Sequence, residues 1–414
     1  MTTPAAMGYQ PADPGYRRVT VALFLAGVAT FASIYCTQTL LPLLTRDFAI
    51  TPTTAALSVS VTTVCLGIAL LFVGPLSDAV GRTRLMQASL VASGATCLAS
   101  AFVTDWTHML ILRALLGFTV AGLPAVATAY LREEIHHHWA TAATGLYIGG
   151  TAIGGMAGRL LTGALATLLD WRGAVAGVGV LALACAVAVW FLLPESRRFH
   201  PTPLNPRALR ANAGRMILDR GLLTLYGVGF CLMGAFVSCF NGLAFRLYGA
   251  PYLLTPAAAS LLYLTYAVGS FASTFAGRLA ARHGSRAVAP WAIAIFAAGI
   301  LTTLASGLPA IVTGVGLISI GFFAAHGVAS GWVSARASRK GAGTGMAGAL
   351  YLFAYYAGSS ICGAAAGAAW SAGGWPAVVT LSASVAGVGL LLALSMRGVP
   401  VLPFPIDPHA PIQG

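Results

Sequence analysis

The sequence predicts an all-α polytopic membrane protein, with twelve transmembrane helices arranged as two parallel-repeat bundles of six. Three observations carry this. The 23 Lys+Arg and 10 Asp+Glu of the 414-residue chain fall mostly in short clusters. Between the clusters lie runs of Ala, Leu, Val, Gly, Phe, Ser and Thr about 20 to 28 residues long, enough for helices to cross a hydrocarbon layer that offers backbone amides no partner. The basic residues gather in alternate connections, and segments of the first half of the chain recur in the second.

The apolar runs place the spans at 19–44, 54–76, 85–103, 108–131, 141–168, 173–193, 221–244, 255–277, 287–305, 308–334, 342–370 and 374–396. Arg17 and Arg18 precede the first, but its apolar run is too long for the h-region of a cleaved signal. With the N-terminus inside, the cytoplasmic segments carry eighteen basic residues and the outer loops only Arg46, Arg172 and Arg246. That bias predicts a multi-pass inner (cytoplasmic) membrane protein with both termini cytoplasmic. The longest connection, 194–220, is basic and proline-rich. It divides the chain into a six-helix half at 1–193 and another at 221–396, with a cytoplasmic tail at 397–414.

Composition excludes several classes. Charged residues make up 8% of the chain, against about 25% in soluble domains. The net charge of +13 resides in short inter-span loops, so no nucleic-acid partner is expected. All seven cysteines fall within apolar runs and none forms a CxxC, so neither a disulfide framework nor a metal site is expected. His136–His138 is read as a solvated loop, because adjacent side chains diverge too far to chelate alone. No Walker sequence is present, which argues against ATP-driven transport and against a bound cofactor.

The repeat is visible in two places. Gly74-Pro-Leu-Ser-Asp-Ala-Val-Gly81 closes the second span, and Gly277-Arg-Leu-Ala-Ala-Arg-His-Gly284 closes the eighth, 203 positions later. Tyr147-Ile-Gly-Gly-Thr-Ala-Ile-Gly154 is matched by Tyr356-Ala-Gly-Ser-Ser-Ile-Cys-Gly363, 209 positions later. Parallel repeats of this kind build transporters whose substrate sits between the halves.

The segment from Gly74 to Arg84 resembles the loop motif between spans two and three of the major facilitator superfamily, with Gly74, Leu76, Asp78, Gly81 and Arg82 matching and Ala79 and Thr83 departing from it. The resemblance implies a latch made and broken during alternating access, with Asp78 bonding a helix end or the loop arginines. Arg113-Ala-Leu-Leu-Gly117 is similar to that superfamily's span-four motif, with Leu116 in place of the usual Gln. Gly150, Gly154, Gly155 and Gly158 resemble the glycine motif of drug:proton antiporters, with Thr151 at the proline position. Three of these glycines, four apart, make a smooth face for close helix packing. Pro42 is a helix-kink candidate in span one. The aromatic run Phe322–Trp332 and the segment Tyr351–Ser360 resemble the bacterial YnfM-like, or acriflavin-sensitivity, branch.

The resemblance implies secondary active transport of a small organic molecule by a monomer in the bilayer, with efflux and proton antiport favoured. Uptake symport or facilitation stays open, as do a polytopic membrane enzyme and a transporter-like sensor, although no intramembrane hydrolase residue set is visible. In this fold spans 1, 4, 7 and 10 line the cavity, which selects Tyr35, Gln38, Arg113, Asn241 and His326, joined by Arg159 and by Tyr355 and Tyr356 of span eleven. Arg113 lies roughly 7–8 Å inside the outer end at 1.5 Å per residue. It must face protein, water or substrate, or else snorkel outward. No Asp or Glu lies well inside a span, which favours neutral, zwitterionic or anionic substrates. If protons drive transport, His326 is the candidate carrier, as the intramembrane group whose ordinary pKa is nearest neutrality. A neutral histidine bonded to a helix carbonyl is the alternative.

Overall fold

The computed structural model describes residues 8–199, 206–340 and 344–400. The tail beyond 400, residues 200–205 of the central connection and the start of the eleventh predicted span lie outside them. The helices that cross the bundle are α1 (Pro14–Asp47), α2 (Pro52–Val80), α3 (Arg82–Phe102), α4 (Trp106–Glu134), α5 (His137–Leu168) and α6 (Trp171–Leu192) in the first half. The second half holds α7 (Arg220–Tyr248), α8 (Pro256–His283), α9 (Ser285–Thr302) and α10 (Leu308–Arg339). A final helical stretch, Thr344–Gly398, runs for 55 residues. At 1.5 Å per residue that is about 80 Å, more than two bilayer cores. Its helical geometry fails at Gly373 and Gly374 (φ +59°), so it comprises two crossings, α11 before the glycines and α12 after. The helix carries on almost directly because Trp375 and Pro376 restart it, and proline is at home in a first turn.

Each half is packed alike. In the first, α1 lies against α5 and α6, and α3 against α6. In the second, α7 lies against the α11–α12 stretch, and α8 and α9 lie against α10. Glycines set the closest approaches. A Cβ at Gly150, Gly154 or Gly158 would fall 2.5, 2.4 or 2.5 Å from backbone atoms of Phe24, Val28 and Ala32 on α1. On α11 a Cβ at Gly358 would fall 2.1 Å from the Phe230 carbonyl of α7. Within lipid, where apolar surface gains nothing by leaving the solvent, such van der Waals contact is a principal source of helix association.

The halves meet along α2 with α11 and along α5 with α8. Among the described residues, the side-chain hydrogen bonds joining them lie from mid-bundle to the end away from the termini. Ser360 bonds Thr63 and the Ser60 carbonyl (both 2.8 Å), the Tyr248 hydroxyl donates to the Thr39 carbonyl (2.7 Å), and the Ala257 amide donates to Thr167 (2.9 Å). A Cβ at Gly367 or Gly163 would strike the partner half's backbone there, at Thr53 or Pro256.

The central connection is more structured than its proline content suggests. Pro206–Ile217 is a helix with Met216 buried, and Ser196, Arg197 and Arg198 dock on Glu134 at the end of α4 through one hydroxyl and two backbone amides. The loop reading missed that Leu209, Met216 and Ile217 alternate with arginines at helical spacing.

Candidate functional site

Pro42 shapes the site first. It has no N–H to give the carbonyl one turn back, and α1 breaks: a helix ends at Tyr35, a single 3-10 turn covers Gln38–Leu40, and helix resumes at Leu41. The break leaves terminal carbonyls unpaired. Arg113 of α4, fully buried, supplies them, donating from Nη2 to the Ile34 carbonyl (2.6 Å), from Nη1 to the Ser33 carbonyl (3.3 Å) and from Nε to the Ser58 carbonyl (3.0 Å). A cation at a helix C-terminus is also favoured by the helix dipole.

The same break swings Gln38 into the plane between the halves. Arg159 of α5 donates from Nε to Gln38 Oε1 (2.8 Å) and from Nη1 to the Gly155 carbonyl (2.6 Å). Because guanidinium can only donate, the Gln38 amide is oriented, and its Nε2 donates onward to Asn241 Oδ1 (2.8 Å). Asn241 Nδ2 then donates to the Gly363 carbonyl of α11 (3.1 Å). All three side chains are at most 2% exposed. The relay therefore runs unbroken from the first half into the second, through a contact between α1 and α7 at equivalent places in the repeat.

Aromatic rings surround its charged end. The Arg159 guanidinium carbon lies 4.4 Å from the Tyr35 ring centre, 5.0 Å from that of Tyr263 and 5.4 Å from that of Tyr266. Gly154 and Gly158 make this possible by seating α5 on the α1 backbone one turn below Tyr35. From Tyr266 the aromatic surface continues through Phe236 (5.7 Å) to Phe322, stacked on Phe236 at 3.9 Å, and on to His326 at 6.0 Å. His326 is half-buried, its Nδ1 is 2.9 Å from the Tyr351 hydroxyl, and its ring lies 4.7 Å from Tyr355. Its partner is thus a hydroxyl and not a helix carbonyl. Tyr355 and Tyr356 stand edge to face at 5.1 Å.

A second constellation lies at the terminal ends of the first half. Gly81, at φ +113°, allows the sharp turn from α2 into α3, and Gly284 does the same between α8 and α9 at φ +85°. Gly74 faces open space and Leu76 is exposed. Arg82 bonds Asp78 (2.9 Å) and forks onto both Glu133 oxygens, each at 2.5 Å. In the second half Asp219 pairs with Arg336 (2.6 Å) and Lys340 (2.7 Å), joining the start of α7 to the end of α10.

Residues 23–262 match the Major Facilitator Superfamily, more than half of the chain. The chain belongs to the major facilitator superfamily. It is 44% identical to the inner membrane transport protein YnfM of Escherichia coli over 93% of this chain and 91% of that protein. It is also 41% identical to an uncharacterised transporter of the superfamily, YybF of Bacillus subtilis, covering 93% of this chain and 94% of that one. Among solved structures, a bacterial homologue of the human lysosomal transporter Spinster, inward-facing and unoccupied, superposes with a TM-score of 0.68 at 15% identity (95% and 96% of the two chains). The nucleoside transporter NupG superposes at 0.70 and 14% identity (92% and 99%), which shows the shared fold. The protein is therefore a multi-pass membrane transporter of the superfamily and not an enzyme, and its resemblance to the YnfM-like branch holds over most of its length.

Sequence reasoning alone did not select Glu133, Tyr263, Tyr266, Tyr351 or the Asp219–Arg336 pair. Glu133 sits in an ordinary-looking Arg-Glu-Glu end of α4, and the tyrosines of α8 lie on a span outside the usual cavity-lining set. Only the fact that α5 and α8 meet across the halves brings Tyr263 and Tyr266 to Arg159.

Proposed function

We propose that the protein exports a small organic molecule across the inner (cytoplasmic) membrane by alternating access, with the two halves rocking about the Gln38–Asn241 contact and proton antiport running through His326. The carrying observation is that, among the described residues, the side-chain hydrogen bonds found between the halves lie at mid-bundle and at the end away from the termini. The basic bias of the loops supports cytoplasmic termini, which makes this arrangement the state closed to the outside.

Gly74, Leu76, Asp78, Gly81 and Arg82 act as the latch on the inner side, with Glu133 as the acceptor that Arg82 holds in this state. Gly150, Gly154, Gly155 and Gly158 keep α5 rigid on α1, so that each half moves as a body. Arg113 holds the break in α1 open for Gln38. His326 takes and returns a proton as the cavity changes sides, a reading supported by its half-buried position on an aromatic wall and its bond to Tyr351.

Everted vesicles carrying a panel of labelled organic compounds test this directly. Under an imposed pH gradient, acid inside, export appears as accumulation within the vesicles, and His326→Gln removes the accumulation while leaving exchange down a substrate gradient. Accumulation in right-side-out vesicles alone would overturn the export reading, and full accumulation by His326→Gln would overturn the coupling role.

A further inference from the structure

Arg159 is a buried cation without a counter-ion. It is 2% exposed, and among the described residues its partners are the Gln38 amide oxygen, the Gly155 carbonyl and the hydroxyl of Tyr263, all neutral, and none of the ion pairs involves it. Arg113, the other intramembrane arginine, is bonded at all three nitrogens. Around Arg159 the hydroxyl of Tyr266, whose ring stacks on the guanidinium, is buried and has no hydrogen-bond partner among the described residues, and the buried hydroxyls of Tyr35 and Ser359 have only each other, in residues at most 4% exposed. Buried polar groups left unsatisfied, and a buried charge left unpaired, are costly and are found where a ligand completes them.

We propose that Arg159 is the anion-recognition point of the transported substrate, and that the substrate is a small organic monocarboxylate with an aromatic or otherwise apolar body. This rests on the transport reading above and narrows it to a substrate class. A carboxylate accepts two parallel N–H bonds from the edge of a guanidinium, and its remaining lone pairs suit the hydroxyls of Tyr35 and Tyr266. One positive charge balances one negative charge. A dianion would leave a net charge in a low-dielectric site, and a cation would meet repulsion with no carboxylate to offset it. The body of the substrate is set by what continues from Tyr266, namely Phe236 and Phe322, which supply ring faces in place of the hydrogen-bonding groups a sugar needs. Because Arg159 also holds Gln38, an arriving carboxylate competes for the donor that orients the bridge to Asn241. Binding is thereby linked to the contact on which the halves turn.

The test uses the full-length protein purified in detergent, in chloride-free buffer, with calorimetric titration of benzoate and phenylacetate against benzamide, benzylamine and chloride. Saturable binding of a carboxylate is expected, with benzamide at least about tenfold weaker, the ratio expected of a charge-assisted hydrogen bond. Arg159→Gln brings the carboxylate down to the level of the amide, and Arg159→Lys keeps part of the preference. Tyr266→Phe, whose hydroxyl has no partner to lose in the empty protein, weakens the carboxylate by about threefold to tenfold with an unchanged melting temperature. If Arg159→Gln does not fold, Arg159→Lys and Tyr266→Phe decide. Absence of saturable carboxylate binding, equal binding of benzamide, preference for benzylamine or chloride, or a ratio untouched by the variants would each overturn the proposal. Counterflow of the bound probe in proteoliposomes separates the two readings. Arg159-dependent binding without counterflow removes transport and leaves the anion site, whereas counterflow of uncharged compounds by Arg159→Gln at the wild-type rate removes the anion site alone.

Discussion

Gln38 and Asn241 are hydrogen-bonded to each other at 2.8 Å and stand 203 positions apart, the interval that also separates the positive-φ turn glycines Gly81 and Gly284. Equivalent side chains of two repeats meet only on the axis that relates them. The pair therefore marks the pseudo-two-fold axis of the transporter, at the level where α1 is broken and α7 is not. Repeat symmetry supplies the meeting, and the difference between Gln and Asn, with Arg159 on one side only, gives the relay its direction.

A hydrogen-bonded bridge between the halves should act as a unit. We expect Gln38→Leu and Asn241→Leu each to cut transport by about tenfold or more at normal abundance, because each leaves a buried amide unpaired. The double variant should lose much less than the product of the two. A double-mutant cycle on transport rate checks this, with a coupling of at least about 0.5 kcal/mol expected for residues in one network.

The Asp78–Arg82–Glu133 cluster makes a second expectation. Asp78 is half-exposed while Arg82 is mostly covered and forked onto Glu133. Asp78→Asn and Glu133→Gln should both impair turnover more than membrane abundance, with Glu133→Gln the more severe in shifting the protein away from the arrangement in which Arg82 holds Glu133. Accessibility of single cysteines on the two sides of the bundle reads that shift. Normal turnover and accessibility in both variants would reduce the motif to a structural turn.

Glycine spacing allows a graded test of packing. Gly154→Val drives a side chain into the Val28 carbonyl, whereas nothing lies within 4 Å of a Cβ at Gly149. Overpacking of this kind costs about 1–3 kcal/mol, so Gly154→Val should lower the melting temperature of the purified protein by several degrees. Gly149→Ala, five residues away on the same helix, should leave it unchanged.

Much of this was legible in the chain and some was not, for identifiable reasons. Span count and repeat show in composition because lipid forces long apolar runs and duplicated turns keep their glycines. The two final spans follow one another without a loop, since Gly373-Gly374 breaks the helical geometry and the helix restarts at once. Gln38, Asn241 and Arg159 stand out as polar residues in apolar spans, so the sequence singles them out as candidates. Their order of bonding could not be read there, because it depends on Pro42 breaking α1 and on which half each neighbour comes from. Tyr263 and Tyr266 look like ordinary aromatic residues until α8 is placed against α5.

The Asp219 cluster ties the start of α7 to the end of α10 and gives a pH expectation. Burial alone pushes the Asp219 carboxyl up, but hydrogen bonds from Arg336 and Lys340 outweigh it and hold the group well below the usual carboxylate range. A carboxylate whose folded pKa is depressed adds stability that is fully present above its unfolded pKa of about 3.9 and is lost as pH falls through that value towards the folded one. Thermal stability of the wild type in detergent should therefore decline below about pH 4. Asp219→Asn should lower stability at pH 7 by at least about 1.5 kcal/mol and show a flatter decline in acid. An equally steep acid decline in the variant would assign the effect to another carboxylate.

Arg113 and Arg159 are both intramembrane arginines with no carboxylate partner among the described residues, and the structure separates their bonding. Arg113 spends its donors on Ser33, Ile34 and Ser58 carbonyls, two of them freed by the break in α1. Lysine at 113 would keep the charge but offers a single ammonium where three nitrogens now reach two helices. We therefore expect Arg113→Lys to lower folded yield and melting temperature strongly, since at least one buried carbonyl loses its donor at about 1–3 kcal/mol. Arg159→Lys, by contrast, should fold near normally and change ligand preference. Pro42→Ala supplies the internal check. Restoring an N–H to α1 should shorten the break and relieve part of the need for the guanidinium, so the Arg113→Lys defect should be smaller in a Pro42→Ala background. Thermal unfolding of the four proteins measures it, and strictly additive losses would show that Arg113 does not act on the break.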